Sequence, residues 1–162
     1  MKLKNNIRII EKSGTSKSLT VPFLFIKYVI EWIDFDVYKR EKFLATILKD
    51  FDWYPKLLYS DDINHILVFN NVGVVLESNN KPDDLEEQFN KILADMKSVN
   101  IQHNDIKIGE LLINKDNKIF LCDFGWGSIN NDFGCGIGMC KKPPKCFLYT
   151  KDKDTLKRLK LI

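Results

Sequence analysis

"IQHNDIKIGELLINKDNKIFLCDFGW", residues 101–126, sets a His-x-Asp-x-Lys cluster ahead of a short apolar run, a turn, a second apolar run and an Asp-Phe-Gly. "ELLIN" and "KIFLC" are strand candidates around the turn former "KDN", so the fragment reads as a β-hairpin. A hairpin returns its two ends to one place, so Asp105 and Asp123 are expected near each other. Taken singly, each residue has an ordinary structural use. An Asp before an apolar strand commonly forms a turn, a lysine among apolar residues can snorkel to a sheet edge, and His103 reads as a structural hydrogen-bonding residue.

Upstream lies the clearest helix of the chain. Pro82 suits a first turn, four acids follow within five residues, and Leu85, Phe89, Ile92, Leu93 and Met96 form one apolar stripe. Before it, "WYPKLLYSDDINHILVFNNVGVVLE" reads as two strands, about 56–60 and 65–69, joined by "SDDIN" and followed by an irregular crossing at "NNVG". "DFDVYKREKFLATILKDF" places Val37, Leu44, Ile47 and Leu48 near one helical face, with Asp34 or Asp36 available as a cap and Glu41 in mid-helix. "NNIRIIEK" and "TVPFLFIKYVIEWI" read as strands, the second built around Lys27, with "SGTSKS" as the turn between them. One glycine, Gly14, makes that turn a poor phosphate cradle by spacing alone, because backbone amides approach phosphate most easily where several residues lack a Cβ.

The chain has 162 residues, 44% of them hydrophobic, which allows one ordinary domain or two small lobes sharing a cleft. No apolar run approaches the roughly 18 residues of a membrane span, and "MKLKNNIRIIEKSG" lacks the pattern of a signal peptide, so a cytoplasmic protein is expected. Cys122, Cys135, Cys140 and Cys146 all lie in the last quarter and are expected as reduced thiols. Their spacings contain no CxxC pair, which argues against a zinc site. The formal charge of +3 is uneven: residues 141–162 carry eight Lys or Arg and two Asp, net +6, leaving −3 elsewhere. A solvated terminal helix is the expected reading of this basic tail, ahead of contact with nucleic acid or an anionic surface.

"HNDIKIGELLI" and "CDFG", with the lead "MKSVNIQHND", resemble the protein-kinase-like phosphotransferases. The order of elements is similar too: a strand lysine, a helix glutamate, two strands, a crossing, a long helix, a loop, a hairpin and Asp-Phe-Gly, over roughly residues 7–127. The resemblance implies an α+β, two-lobe fold, with a small antiparallel-sheet N-lobe over 1–70, a reduced helical C-lobe over 71–140, and the basic tail over 141–162. It implies ATP and Mg2+ as cofactors and transfer of the γ-phosphate to an acceptor hydroxyl. Phosphoryl transfer needs the triphosphate held in line, a metal to neutralise it and a carboxylate to orient the hydroxyl. By resemblance, Asp105 accepts the hydroxyl proton and Lys107 meets the transferring phosphate. Asp123 and Glu110 hold the metal, Lys27 holds the α- and β-phosphates, and Glu41 aims Lys27. Gly14 and Asn70 complete the nucleotide-binding set.

The sequence also departs from that pattern. Glu110 stands where the family usually has asparagine, Asn104 where arginine is common, and Phe25 where a small residue usually packs on adenine. Gly14 alone remains of the glycine-rich loop. Gly134, Gly136 and Gly138 follow the Asp-Phe-Gly and read as a mobile segment. No Ala-Pro-Glu motif follows, and the remaining length leaves no room for the large helical subdomain that presents protein substrates. The acceptor is therefore open: a small molecule, a partner protein or the chain itself. The competing expectation is a pseudokinase-like binding module, and an incomplete lobe makes self-association an expectation as well.

Overall fold

The computed structural model describes residues 8–13, 16–29, 36–136, 139 and 152–162. Strands β1 (Arg8–Ser13), β2 (Ser16–Val21), β3 (Leu24–Val29), β4 (Leu57–Asp61) and β5 (Ile66–Asn70) form an antiparallel sheet in the order β1-β2-β3-β5-β4. The run expected as one strand around Lys27 is two strands, because Pro22 and Phe23 make a turn and β2 and β3 pair back to back through Val21 and Leu24. Proline lacks the N–H a ladder needs, which makes this the place for the chain to reverse. The expected turn "SGTSKS" is correspondingly shorter, since Ser16, Lys17 and Ser18 belong to β2; Gly14 lies outside the described residues.

Helix α1 (Val37–Leu48) buries Val37, Leu44 and Leu48 as its spacing predicts, and also Tyr38, Arg40, Glu41 and Ala45. Ile47 is half-buried. Asp36 precedes the helix without a side-chain capping bond. A helix buried on so much of its circumference is wrapped by neighbours: α1 meets β4 and β5 on one side and the turn Phe124–Trp126 on another. Glycine makes the second approach close. A Cβ on Gly125 would stand 2.7 Å from Val37 Cγ1, so the helix lies almost on the backbone of Asp-Phe-Gly.

The second half is built on α2 (Leu85–Ser98), with Glu86 and Glu87 in its first turn, Lys97 in its last, and Leu85, Phe89, Ile92 and Met96 buried. Those charges complement the helix dipole, and the i, i+4, i+7, i+11 spacing gives the inward stripe. Leu93 is half-buried, and Pro82 lies just ahead of the helix. The expected hairpin is β8 (Leu111–Ile113) and β9 (Ile119–Leu121), joined by a turn in which Asn117 takes φ 60°. Two residues of the irregular crossing form β6 (Val74–Val75), which extends this pair to a three-stranded sheet, β6-β8-β9. A second two-stranded pair, β7 (Ile101–Gln102) with β10 (Ser128–Ile129), brackets the His103–Lys107 loop and the Asp-Phe-Gly turn.

Helix α3 (Thr155–Arg158) corrects the expectation of a solvated terminal helix. Thr155, Leu156 and Leu161 are buried, and the leucines join the common core. That core runs from Leu67 and Phe69 of the sheet through Leu44, Trp53 and Phe124 to α2. The described residues form an α+β arrangement of antiparallel sheets and three α-helices. Among the described residues no helix is long and apolar enough to cross a membrane.

Candidate functional site

Lys27 sits in the middle strand of the sheet, paired with Ser18 on β2 and Leu67 on β5. Its side chain is 2% exposed and its Nζ lies 2.7 Å from Glu41 Oε2 and 2.6 Å from Asp123 Oδ1. One ammonium thus bridges α1 and the end of the β8–β9 hairpin. Burial alone disfavours the ammonium, but the Asp123 and Glu41 carboxylates outweigh it and hold Lys27 above its ordinary pKa. Burial pushes Glu41 up to about 7 against the pull of Lys27. Burial also acts to raise Asp123, yet the Lys27 charge and hydrogen bond win and leave it below the usual carboxylate range. Asp123 has φ 64°, a conformation asparagine and aspartate reach more readily than other side chains, and its Oδ1 accepts from the Gly125 N–H at 3.4 Å.

The loop leading to Asp105 is fastened from several directions. The His103 imidazole lies 2.9 Å from the Cys122 carbonyl through Nε2, while its Nδ1 accepts from the Asp105 N–H at 3.4 Å. Only the neutral tautomer protonated at Nε2 makes both bonds. The ring rests on Phe124, centroid to centroid 4.6 Å. Asn104, at φ 70°, donates from Nδ2 to the Trp126 carbonyl at 3.1 Å and to Ser128 Oγ at 3.0 Å. Asp152 accepts from the backbone N–H groups of His103 and Asn104 at 2.7 and 2.9 Å, and Arg158 donates to the Ile106 carbonyl at 2.5 Å. The terminal segment therefore braces the loop. Sequence reading missed both residues; the signal was that Asp152 is one of two acids in an otherwise basic stretch.

Asp105 itself is buried and ion-paired with Lys107. Burial raises its pKa, and the Lys107 hydrogen bond and charge pull the other way. Glu110 turns back on the same loop, its Oε2 accepting from the Lys107 N–H at 2.5 Å. Burial first, and the Asp123 carboxylate second, push Glu110 well above the usual range.

A cavity of about 940 Å³ opens beside these groups, and Lys27, Glu41, Asn70, Glu110 and Asp123 line it. Its apolar walls include Phe25, Phe69, Val72 and Leu112. The Asn70 side chain braces the rim, accepting from the Lys56 N–H at 2.6 Å. Asp105 and Lys107 are not among the lining residues, although Asp105 lies close enough to Asp123 and Glu110 to act on both electrostatically. Cys122 and Tyr54, which sequence reading left out of the site, also line the cavity.

Among the described residues no three His, Cys, Asp or Glu side chains converge as a free-standing metal site. Cys140 and Cys146 lie outside those residues. Asp123 and Glu110 nevertheless supply hard oxygens to one cavity, and the Asp123 charge that helps to raise Glu110 is what a divalent cation would relieve. Magnesium is commonly held by one or two carboxylates plus substrate phosphates, so this donor pair fits a metal that arrives with a nucleotide.

No family model matches the chain. Curated proteins similar to it include "Serine/threonine-protein kinase 1" of Heliothis zea nuclear polyhedrosis virus, 28% identical over 160 residues, covering 85% of this chain and 57% of the viral protein. "Serine/threonine-protein kinase ROP18" of Toxoplasma gondii is 43% identical over 54 residues, which is 33% of this chain and 10% of that protein. The chain thus spans a little over half of the first relative and a tenth of the second. These likenesses relate it loosely to the protein kinases.

Proposed function

We propose that the chain is an ATP-dependent phosphotransferase with a kinase-like two-lobe fold, divided near Asn70. The single observation that carries the reading is Lys27 Nζ set between Glu41 and Asp123 on the wall of a cavity that Glu110 and Asn70 share. A buried ammonium already ringed by carboxylates has its charge and direction fixed before a polyanion arrives, which is what electrostatic preorganisation requires.

In this reading Lys27 holds the α- and β-phosphates, Glu41 keeps it aimed, Asp123 and Glu110 hold Mg2+, and Gly14 and Asn70 contribute to nucleotide binding. When bound, the metal would neutralise phosphate charge. Asp105 orients the acceptor hydroxyl and takes its proton, and Lys107, 59% exposed, swings from Asp105 toward the transferring phosphate. Phe25 and Phe69 offer apolar walls for a base. The acceptor is a small molecule, a partner protein or the chain itself.

Thermal denaturation with ATP, with and without Mg2+, tests the reading. At ligand about 100-fold above Kd, binding adds about 2.7 kcal/mol, or roughly 5–10 °C for a domain of this size. The wild type is expected to gain that only when Mg2+ is present, and Asp123→Asn to gain none. An unchanged midpoint in the wild type would overturn the proposal.

A pseudokinase-like binding module is the second reading. The observation favouring it is that Asp105 is buried, paired with Lys107 and absent from the cavity lining. Metal-dependent binding with no phosphoryl transfer would select it.

A further inference from the structure

Cations adjoin the loop that carries Asp105, and the roles assigned above leave most of them unused. Arg158 is exposed, and its Nη2 donates to the Ile106 carbonyl at 2.5 Å, the only bond its guanidinium makes among the described residues. A guanidinium carries five N–H donors and meets a carboxylate in pairs, so most of this one is left for an anion. Lys107, 59% exposed, pairs with Asp105. The segment that bears Arg158 continues the charge: Lys153, Lys157 and Lys160 are exposed, while Thr155, Leu156 and Leu161 are buried. Of the two acids in 152–162, Asp152 is engaged by the His103 and Asn104 amides, and Asp154 alone is exposed.

We propose that Arg158, Lys107 and the exposed lysines of 153–160 form a docking surface for an acidic polypeptide, which presents a hydroxyl side chain flanked by carboxylates to Asp105. The buried leucines and the Asp152 and Arg158 bonds hold this segment against the loop, so its charge is fixed near the acceptor end of the site. Asp105 and Asp123 would repel an acidic acceptor, and the adjoining cations offset them. Exposed ion pairs are individually weak, yet several of one sign steer and orient a partner of the other sign. Arginine adds direction, since its planar fork matches a carboxylate. Lys153 to Lys160 covers about 10 Å of helical chain, the length of about three extended residues. A peptide can follow that whole length, whereas a small anion meets one end of it. The inference rests on the phosphotransferase reading for the hydroxyl, while the docking itself rests on charge and position.

The test is fluorescence anisotropy of a labelled peptide, one serine followed by a run of glutamates, titrated with the full chain at low ionic strength. This peptide is expected to bind about tenfold more tightly than its glutamine counterpart, and to lose that advantage as salt rises. Joint substitution Lys153→Glu, Lys157→Glu and Lys160→Glu is expected to weaken binding about tenfold, and Arg158→Gln, which keeps a donor for the Ile106 carbonyl, about fivefold. In transfer to the same peptide, the lysine variant is expected to raise KM with kcat within about threefold of wild type. Equal affinity for the glutamate and glutamine peptides would overturn the proposal. So would tighter binding of a single-stranded oligonucleotide of the same charge, which would make this a nucleic-acid surface. Should Arg158→Gln fail to fold, the lysine variant, altered only at exposed positions, decides by the same criterion. Peptide binding needs no nucleotide, so absence of Mg2+–ATP binding would remove the proposed activity while the peptide affinities still decide this surface.

Discussion

Asp105→Asn is expected to lower phosphoryl transfer by about 100- to 10,000-fold, the usual worth of a positioned general base, while Mg2+–ATP affinity stays within about threefold of wild type. The asymmetry follows from position. Asp105 is outside the cavity lining, whereas Lys27 and Asp123 are part of it, so its charge is expected to reach a bound nucleotide only indirectly, through Asp123 and Glu110. The substitution is nearly isosteric, and its ion-pair partner Lys107 is 59% exposed, so water takes over solvation of the ammonium. A stability change below about 1 kcal/mol is expected for loss of a pair with one partner so exposed. Transfer assays with γ-labelled ATP, alongside nucleotide titration, check both halves; transfer that persists in Asp105→Asn would refute the role assigned to this carboxylate.

Asp152→Ala is expected to be the most destabilising change outside the core. Asp152 meets two backbone N–H groups, at His103 and Asn104, residues that are almost wholly buried. Hydrogen bonds to a charged group contribute about 1.5–3 kcal/mol each, so loss of both predicts about 3–6 kcal/mol. The matching control is Asp154→Ala, whose exposed side chain makes no capping bond and whose loss predicts a change within about 0.5 kcal/mol. Urea denaturation of the two variants side by side is the measurement. Equal midpoints would show that the terminal segment does not brace the loop. Where Asp152→Ala remains folded, its transfer rate is expected to fall as well, because Asp105 follows directly on the two released amides.

The elements that were legible in the sequence are those whose local signals agree with their tertiary use. Helix α2 has acids first, a lysine last and one apolar stripe, and each feature points to the same helix. The β8–β9 hairpin was legible because its turn residues and its apolar runs coincide. The β2–β3 boundary was hidden for the opposite reason. Phe23, at the tip of the turn, is 82% exposed, and an apolar residue at a turn makes two strands read as one continuous run. Arg40 was hidden because periodicity assigns a charged residue to solvent, whereas the segment 127–135, distant in sequence, supplies carbonyls that its guanidinium meets.

The candidate site divides along the same line. Lys27, Glu41 and Asp123 were picked out by the resemblance to the kinase-like family, and the structure brings Glu41 and Asp123 within hydrogen-bonding distance of Lys27. Asp105, Lys107 and Glu110 were chosen alongside them, yet they bond chiefly with one another. Sequence spacing places residues on a loop but does not tell which way a buried carboxylate turns. Asp152 and Arg158 lie some 50 residues from the loop they brace, so no local pattern could reveal them.

The central claim, that this cavity serves phosphoryl transfer, is tested most directly by following the γ-phosphate of ATP in the presence of the purified wild-type chain and Mg2+. Label from γ-labelled ATP is expected to pass to an acceptor hydroxyl or to be released as phosphate, label at the α position is expected to stay in place, and chelating the metal is expected to stop the reaction. No metal-dependent movement of the γ-phosphate, with the chain folded and ATP in excess, would contradict it.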